Sequence, residues 1–230
     1  MPKVSHRQND NIKKRKPYIY SDLKESIGFL KETATAKFTE TVELHANLNI
    51  NPKYADQQLR ATVTLPHGTG KSMKIAILTP KIEEYKKILI GATLIGNDNL
   101  IDKILKGEID FDLLITTADM MPKLAKLGRI LGPRGLMPSP KSGTVTTDLI
   151  STFEEFTKGK FEYKADRAGI VHVNFGKSNF TTPQLIENLI AILKSIEQNR
   201  PTGVKGKYFK NLYICNSMGP SIEIDLNAII

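Results

Sequence analysis

Apolar and polar residues alternate along two neighbouring stretches in the first third of the chain. In the first stretch the apolar positions are Val42, Leu44, Ala46 and Leu48, and in the second the alternation runs from 59 to 65. A period of two is typical of strands that have one face on a core and the other open to water. We therefore predict two half-exposed strands, paired antiparallel in one sheet. Before them, helical spacing predicts a helix that Ser21 caps and that ends near Thr35.

The pattern changes after the segment 66–72. Short apolar runs at 75–78, 93–95 and 111–116 are separated by two helical patterns, 82–89 and 98–106. Regular alternation of strands and helices is typical of a parallel sheet. A further helix is predicted from Met121 to Gly128, and another, capped by Asp148, ends near Gly159.

Strand-like alternation returns in the last third of the chain. The segments 161–165 and 170–173 predict an antiparallel hairpin, and 212–215 and 222–226 predict two more strands. Between these pairs, Thr182 is expected to cap a helix with Pro183 at its first position. The buried stripe of that helix is predicted to be Leu185, Leu189, Ile192 and Ile196.

Antiparallel segments at both ends thus flank a parallel segment. We predict an α+β terminal domain, an antiparallel sheet with helices, made from residues 1–69 and 160–230. An inserted α/β Rossmann-like domain is predicted for residues 70–159. Gly68, Gly70 and Gly159 lie where the chain crosses between the domains, and glycine adopts backbone conformations that other residues avoid. We predict that they act as hinges.

The composition is basic and the chain has one cysteine. Lys and Arg number 33 against 24 Asp and Glu, and the sequence pI is about 9.4, which favours a polyanionic partner such as nucleic acid or an acidic membrane. No apolar run approaches the roughly 20 residues that span a bilayer, and no signal peptide is evident. We expect a soluble intracellular protein. Cys215, in an apolar run, is predicted to be a buried small hydrophobe.

Two segments concentrate positive charge. Residues 1–20 contain six Lys or Arg and one Asp, and predict a basic arm that is either a solvated tail or an RNA contact. The segment 128–143, rich in glycine and proline, is predicted to be an irregular loop. It carries Arg129, Arg134 and Lys141 and no carboxylate, so it is either a surface connection or a ligand contact.

The segment 66–72 ends in Gly-Lys-Ser, as a phosphate-binding loop does, but Leu65 occupies the position of the opening glycine. The four histidines are scattered, and no metal-ligand cluster or nucleophile with a base is evident. We predict no enzymatic activity, no metal and no cofactor. The alternative is a nucleotide-binding enzyme that uses the inserted α/β domain.

Four motifs in order carry a resemblance that covers essentially the whole chain. They are KFTETVELH at 37–45, LPHGTGK at 65–71, LGRILGPRGLMP at 127–138 and SMGPS at 217–221. Together they resemble the bacterial and plastid members of the universal large-subunit ribosomal protein L-one family. The resemblance implies the two-domain insertion and binding to a stem-junction of large-subunit rRNA. There the family forms a mobile stalk near the exit site and assists release of deacylated tRNA.

The resemblance also implies partners and a location. Exit-site tRNA and the protein's own mRNA, whose translation it would repress, are expected beside the rRNA. The protein is expected to be a monomer off the ribosome and to have no membrane partner. The lack of a transit peptide suits a bacterial or a plastid-encoded protein, and the composition favours a ribosome in the plastid stroma over the bacterial cytoplasm.

The family's RNA surface is implied for the terminal domain. There Lys37 would bind phosphate, Phe38 would pack on sugar or base, and polar groups would read ribose hydroxyls. Asn211 stands where serine is expected, and Ser217 where threonine is usual. The implied RNA-binding residues are Lys37, Phe38, Glu40, Thr41, Glu43, His172, Gly176, Lys177, Ser178, Asn211, Ser217, Met218, Gly219 and Pro220. Secondary contacts are Arg129, Arg134 and Lys141. For Phe38 and Met218 the alternative is core packing.

Overall fold

The computed structural model describes residues 6, 9–11, 22–80 and 94–225. Most of the predicted basic arm, the helix predicted at 82–89 and the last predicted strand residue, Leu226, lie outside these ranges. The helices are α1 (Leu23–Thr33), α2 (Asp98–Leu105), α3 (Met121–Ala125), α4 (Gly128–Leu131), α5 (Leu149–Thr157) and α6 (Thr182–Gln198). The strands are β1 (Thr41–Leu48), β2 (Arg60–Thr64), β3 (Ile75–Leu78), β4 (Leu94–Gly96), β5 (Leu113–Thr116), β6 (Lys160–Lys164), β7 (Ile170–Lys177), β8 (Phe209–Asn216) and β9 (Ile222–Ile224).

The chain divides into two compact units. One contains the chain up to Gly70 and from Phe161 onward, and the other runs from Lys71 to Lys160. The first contains an antiparallel four-stranded sheet and the second a parallel three-stranded sheet. Helix and strand are therefore mixed, as the sequence predicts. Within the described ranges, none of the helices combines the length and apolar character that crossing a membrane requires.

The sheet of the first unit has the order β7-β1-β8-β9. In β1 every second residue is buried, because this face of the sheet packs on α1 and α6 in one apolar core. The predicted stripe of α6 is confirmed, since Leu185, Leu189, Ile192 and Ile196 are all fully buried. The opposite face of the sheet is polar.

The predicted pairing of the second strand is wrong. β2 joins β6 in a separate two-stranded sheet and does not pair with β1. The predicted hairpin of β6 and β7 is likewise reduced to a single bridge between Ala165 and Val171. Alternation shows which face of a strand is buried but carries no information about its partner, so both strands were placed correctly and paired incorrectly.

Two helix starts differ from the prediction by one residue. The N-cap of α1 is Asp22, whose carboxylate accepts from the backbone N–H of Lys24 at 2.9 Å. The N-cap of α6 is Thr181, because Gln184 three positions later closes a capping box with it. The C-terminal end of α1 lies at Thr33 and not at Thr35.

The second unit contains the predicted parallel sheet. Its order is β4-β3-β5, and β3 pairs in parallel with both neighbours. All four residues of β3 are buried, because apolar clusters cover both faces of the sheet. Asp148 caps α5, as predicted, by accepting from the backbone N–H groups of Ile150 and Ser151 at 3.1 and 3.3 Å.

The segment 128–143 is more regular than predicted. Gly128 begins the short helix α4, whereas it was expected to end the preceding helix, which stops at Ala125. A turn of 3₁₀ helix follows at Pro140–Ser142. Leu131 is fully buried in the same cluster that partly buries Leu136. Burial of these leucines thus stabilises a helical turn in a segment whose glycines and prolines disfavour helix.

Gly176 in β7 provides a test of the packing between the sheet and α6. A Cβ atom here would lie 2.6 Å from Leu185 Cδ2 and 3.1 Å from Phe180 Cδ2. We expect Gly176→Ala to lower the free energy of unfolding by about 1–3 kcal/mol, the usual cost of overpacking a core, as measured by urea denaturation.

Gly28→Ala is the matched control, because a Cβ atom at Gly28, within α1, meets no atom within 4 Å. In the helix interior this change should stabilise the protein by up to about 1 kcal/mol. Equal effects of the two substitutions would contradict the packing described for β7 and α6.

Candidate nucleic-acid interface

The open face of the four-stranded sheet is lined by polar side chains. In β1 the residues Glu43 and His45 are partly exposed between buried neighbours. Glu43 lies opposite Asn174 of β7 and Cys215 of β8, and His45 lies opposite His172 and Tyr213. Because β1 is central, side chains from three strands stand side by side on this face.

Glu40 joins three segments at the start of β1. It is 1% exposed, and its two carboxylate oxygens accept from the backbone N–H groups of Ala36 and Met218, each at 3.1 Å. Its backbone carbonyl accepts from the N–H of Ser178 at 2.9 Å. Glu40 was predicted to contact RNA, but its carboxylate is committed to the protein backbone.

The turn after β8 is attached to the first residue of β1. The N–H of Ser217 donates to the carbonyl of Thr41 at 3.0 Å, and the N–H of Thr41 donates to Ser217 Oγ at 3.1 Å. The N–H of Gly219 donates to the carbonyl of Asn216 at 3.1 Å and closes the turn. The hydroxyl that Ser217 shares with the expected threonine therefore has a structural partner.

Two large apolar side chains are exposed on these connected segments. Phe38 is 56% exposed and Met218 is 50% exposed, which excludes core packing for both. Lys37, beside Phe38, is also exposed. Since Glu40 ties residues 34–40 to the turn at 217–220, the cation and both apolar groups lie at one end of the sheet.

The end of β7 adds to this end of the sheet. Lys177 lies opposite Thr41, and its Nζ donates to Thr41 Oγ1 at 2.8 Å. Ser178 follows and is partly exposed. Gly176, in contrast, is buried against Leu185, so its lack of a side chain serves packing.

Several predicted residues lie elsewhere. Asn211 is opposite Asn47, about 17 Å along β8 from Asn216 at the usual strand rise, and its Nδ2 donates to Glu223 Oε1 at 2.7 Å. His172 is opposite His45, about 13 Å from the level of Thr41. The secondary candidates Arg129, Arg134 and Lys141 are exposed residues of the second unit.

The prediction that Cys215 is a buried hydrophobe is wrong. It is partly exposed on the polar face, and its Sγ lies 3.1 Å from His45 Nε2. Partial burial, with the nearby Glu43 carboxylate, raises the pKa of this thiol. Leu212 and Ile214 are buried, so the residues between and after them, including Cys215, lie on the opposite face of β8. The alternation of the strand could have shown this, but the run of apolar residues around Cys215 hid it.

The resemblance of 66–72 to a phosphate-binding loop has no structural counterpart. The Nζ of Lys71 donates to Asp112 Oδ1 at 2.9 Å, and this hydrogen bond is the main cause of a lowered pKa for the Asp112 carboxyl group. After Ser72 the chain enters β3. A phosphate-binding loop instead leads into a helix whose N-terminus faces the phosphate.

Comparison with known proteins decides the family. The model of the "Ribosomal protein L1p/L10e family" matches residues 30–220, from the end of α1 to the turn after β8. This chain belongs to that family. It is therefore a structural protein of the large ribosomal subunit, is located on the ribosome and is not an enzyme.

Similar proteins match along their full length. The large ribosomal subunit protein uL1c of Trieres chinensis is 67% identical over 230 residues and covers 100% of both chains. The uL1c protein of Phaeodactylum tricornutum is 65% identical with 98% of both chains covered. The uL1 protein of Prochlorococcus marinus is 55% identical, covering 100% of this chain and 97% of its own.

Removing the Glu40 carboxylate should destabilise the protein. We expect Glu40→Ala to lower the free energy of unfolding by about 1–3 kcal/mol, because it leaves two partly buried amide donors without their acceptor. Urea denaturation measures the loss, and hydrogen exchange should become faster at the amides of Ala36 and Met218.

The control is Glu43→Ala, which removes a partly exposed carboxylate three residues along the chain. Its effect should stay within about 0.5 kcal/mol, as at ordinary surface positions. If both substitutions left stability unchanged, Glu40 would not hold the two segments together.

Proposed function

We propose that this protein binds a stem-junction of large-subunit rRNA through the surface formed by residues 37–43 and 217–220, here called the loop–turn surface. The observation that carries the proposal is the exposure of Phe38 and Met218 on two segments fixed by a buried carboxylate. Exposed apolar groups held in place beside a cation suit a partner that offers both flat apolar faces and phosphates.

Each group on this surface matches a feature of RNA. The ammonium of Lys37 pairs with a phosphate, and the ring of Phe38 stacks on a base or packs on a ribose. Thr41 and Ser217 present hydroxyls, and Glu43 a carboxylate that accepts from 2′-hydroxyls or base amines. Glu40 acts indirectly, by holding the two segments in register.

The other candidates on the sheet extend this surface. Lys177 and Ser178 adjoin Thr41, whereas His172 and Asn211 lie about 13–17 Å away along the strands. Contacts across such a distance require an RNA with extended shape, such as a stem-junction. They would be out of reach of a single bound nucleotide.

The proposed domains follow the division into two units, with an RNA-binding terminal domain and an inserted domain. Gly68, Gly70 and Gly159 have φ of 64°, 71° and 106°, values that favour glycine, and they lie next to the two chain crossings. We assign them the role of hinges, which suits a mobile stalk near the exit site that assists release of deacylated tRNA. Arg129, Arg134 and Lys141 are then secondary RNA contacts.

The same surface accounts for a second role, repression of translation by binding a similar fold in the protein's own mRNA. Off the ribosome the protein is proposed to be a monomer. The plastid stroma is favoured over the bacterial cytoplasm, since the two uL1c relatives are 65–67% identical and the Prochlorococcus protein 55%.

Phe38→Ala and Met218→Ala should each weaken binding to the rRNA stem-junction. The expected loss is about 1–3 kcal/mol for Phe38, the range for one base stacked on an aromatic ring, and about 1 kcal/mol for Met218, from the apolar area it loses. Fluorescence anisotropy with labelled RNA at fixed salt measures both. Since both side chains are exposed, thermal stability should not change.

Tyr54→Ala and Leu105→Ala are matched controls, because Tyr54 and Leu105 are 60% and 53% exposed and lie outside the loop–turn surface. These two variants should bind RNA as the wild type does. If all four substitutions weakened binding equally, or none did, the loop–turn surface would not be the RNA site.

A further inference from the structure

A cluster of metal-ligating side chains lies on the polar face of the sheet. Glu43, His45 and Cys215 each present one ligand atom, and these atoms lie within 4.8 Å of one another. The Nε2 atom of His45 is 3.1 Å from Cys215 Sγ and 3.8 Å from Glu43 Oε2. The cluster is not evident in the sequence, because Cys215 is 170 positions from His45 along the chain.

These spacings suit a tetrahedral ion. At the tetrahedral angle, zinc bonds of about 2.0 Å to nitrogen and oxygen and 2.3 Å to sulfur place adjacent ligand atoms about 3.3–3.5 Å apart. The distances from His45 to the other two ligands lie within half an ångström of this range. All three side chains are partly exposed, so an ion has access and a water molecule has room to complete the tetrahedron.

The second ring nitrogen of His45 has a neighbour that can fix its tautomer. Nδ1 of His45 lies 2.8 Å from Nδ1 of His172, and Nε2 of His172 lies 3.5 Å from Asp166 Oδ2. If the outer nitrogen of His172 carries its proton towards Asp166, then Nδ1 of His172 accepts from His45 Nδ1–H. The lone pair of His45 Nε2 then faces Cys215 and Glu43. Metal-bound histidines are oriented by such outer hydrogen bonds.

The charges of the cluster also favour a cation. Burial, followed by the repulsion that a protonated His172 would exert, lowers the pKa of His45, which favours the neutral imidazole that a metal requires. A thiolate beside the Glu43 carboxylate would be repelled without a counter-ion. A bound dication removes this repulsion, and the thiol proton passes to solvent when the sulfur–metal bond forms.

We propose that Glu43, His45 and Cys215 form a binding site for a thiolate-preferring divalent transition metal, Zn²⁺ or a close analogue. Nitrogen and sulfur ligands select zinc over the hard cations Mg²⁺ and Ca²⁺. Three protein ligands leave a fourth position for water. The evidence for this metal site does not depend on the proposed RNA binding.

One consequence rests on the proposed function. Glu43 belongs to both the metal cluster and the loop–turn surface, so a bound ion occupies the carboxylate that would otherwise accept from RNA. Metal occupancy should therefore weaken RNA binding, and RNA should lower the affinity for metal by the same factor.

Cobalt titration of the RNA-free protein tests the site. Co²⁺ replaces Zn²⁺ and gives a thiolate-to-cobalt charge-transfer absorption, and the chain contains one cysteine, so this band reports only on Cys215. We expect one equivalent to produce the band and added Zn²⁺ to remove it. Cys215→Ser should abolish it, and His45→Ala should weaken Co²⁺ binding about tenfold or more.

The control variant is His67→Ala. His67 Nε2 lies 2.6 Å from Glu187 Oε2, so it is a histidine paired with a carboxylate that belongs to no described cluster of three ligands. Cobalt binding by this variant should equal that of the wild type. Glu43→Gln should weaken binding and provides a second test if Cys215→Ser fails to fold.

Absence of the charge-transfer band would overturn the proposal, as would cobalt affinity that His45→Ala and Glu43→Gln leave unchanged. Because RNA is absent from this titration, failure of the metal site leaves the RNA proposal intact. Conversely, a bound metal that does not change RNA affinity would overturn the shared role of Glu43 only.

Discussion

The pairing of β1 on both sides is the constraint on which the first unit depends. β7 and β8 fix its register, and burial of Val42 and Leu44 enforces that register, because a slip by one residue would exchange the apolar and polar faces. Core and interface are thus two faces of one strand. Lys177 and Ser217 reach the start of β1 only because their strands pair with it.

Exposed and buried groups at the end of the sheet depend on each other. Exposing the apolar side chains of Phe38 and Met218 to water is unfavourable, and burying the Glu40 carboxylate removes its hydration, which is also unfavourable. Backbone amides from both segments satisfy the Glu40 carboxylate. The buried Glu40 carboxylate therefore holds the two segments that carry Phe38 and Met218, and both side chains are exposed there. Glu43, three residues along, remains available to ligands.

Local sequence patterns predicted most of the helices and strands, but few of the pairings and contacts between them. Alternation located β1, helical spacing located the stripe of α6, and the strand–helix order of the second unit predicted its parallel sheet. The partner of β2 was missed because pairing depends on tertiary contacts. Glu40 is in phase with the buried positions of β1, yet its charge argued for exposure. Its burial depends on an amide at Met218, 178 positions away, which no local pattern reveals. The His45–Cys215 contact was hidden for the same reason.

Chemical footprinting of large-subunit rRNA tests the central claim, that the loop–turn surface binds one stem-junction. Hydroxyl-radical cleavage would be compared for free RNA, for RNA with the wild-type protein, and for RNA with a variant lacking both exposed apolar side chains of that surface. The account predicts protection confined to one stem-junction and lost with the variant. Protection spread over the RNA, or kept in full by the variant, would contradict it.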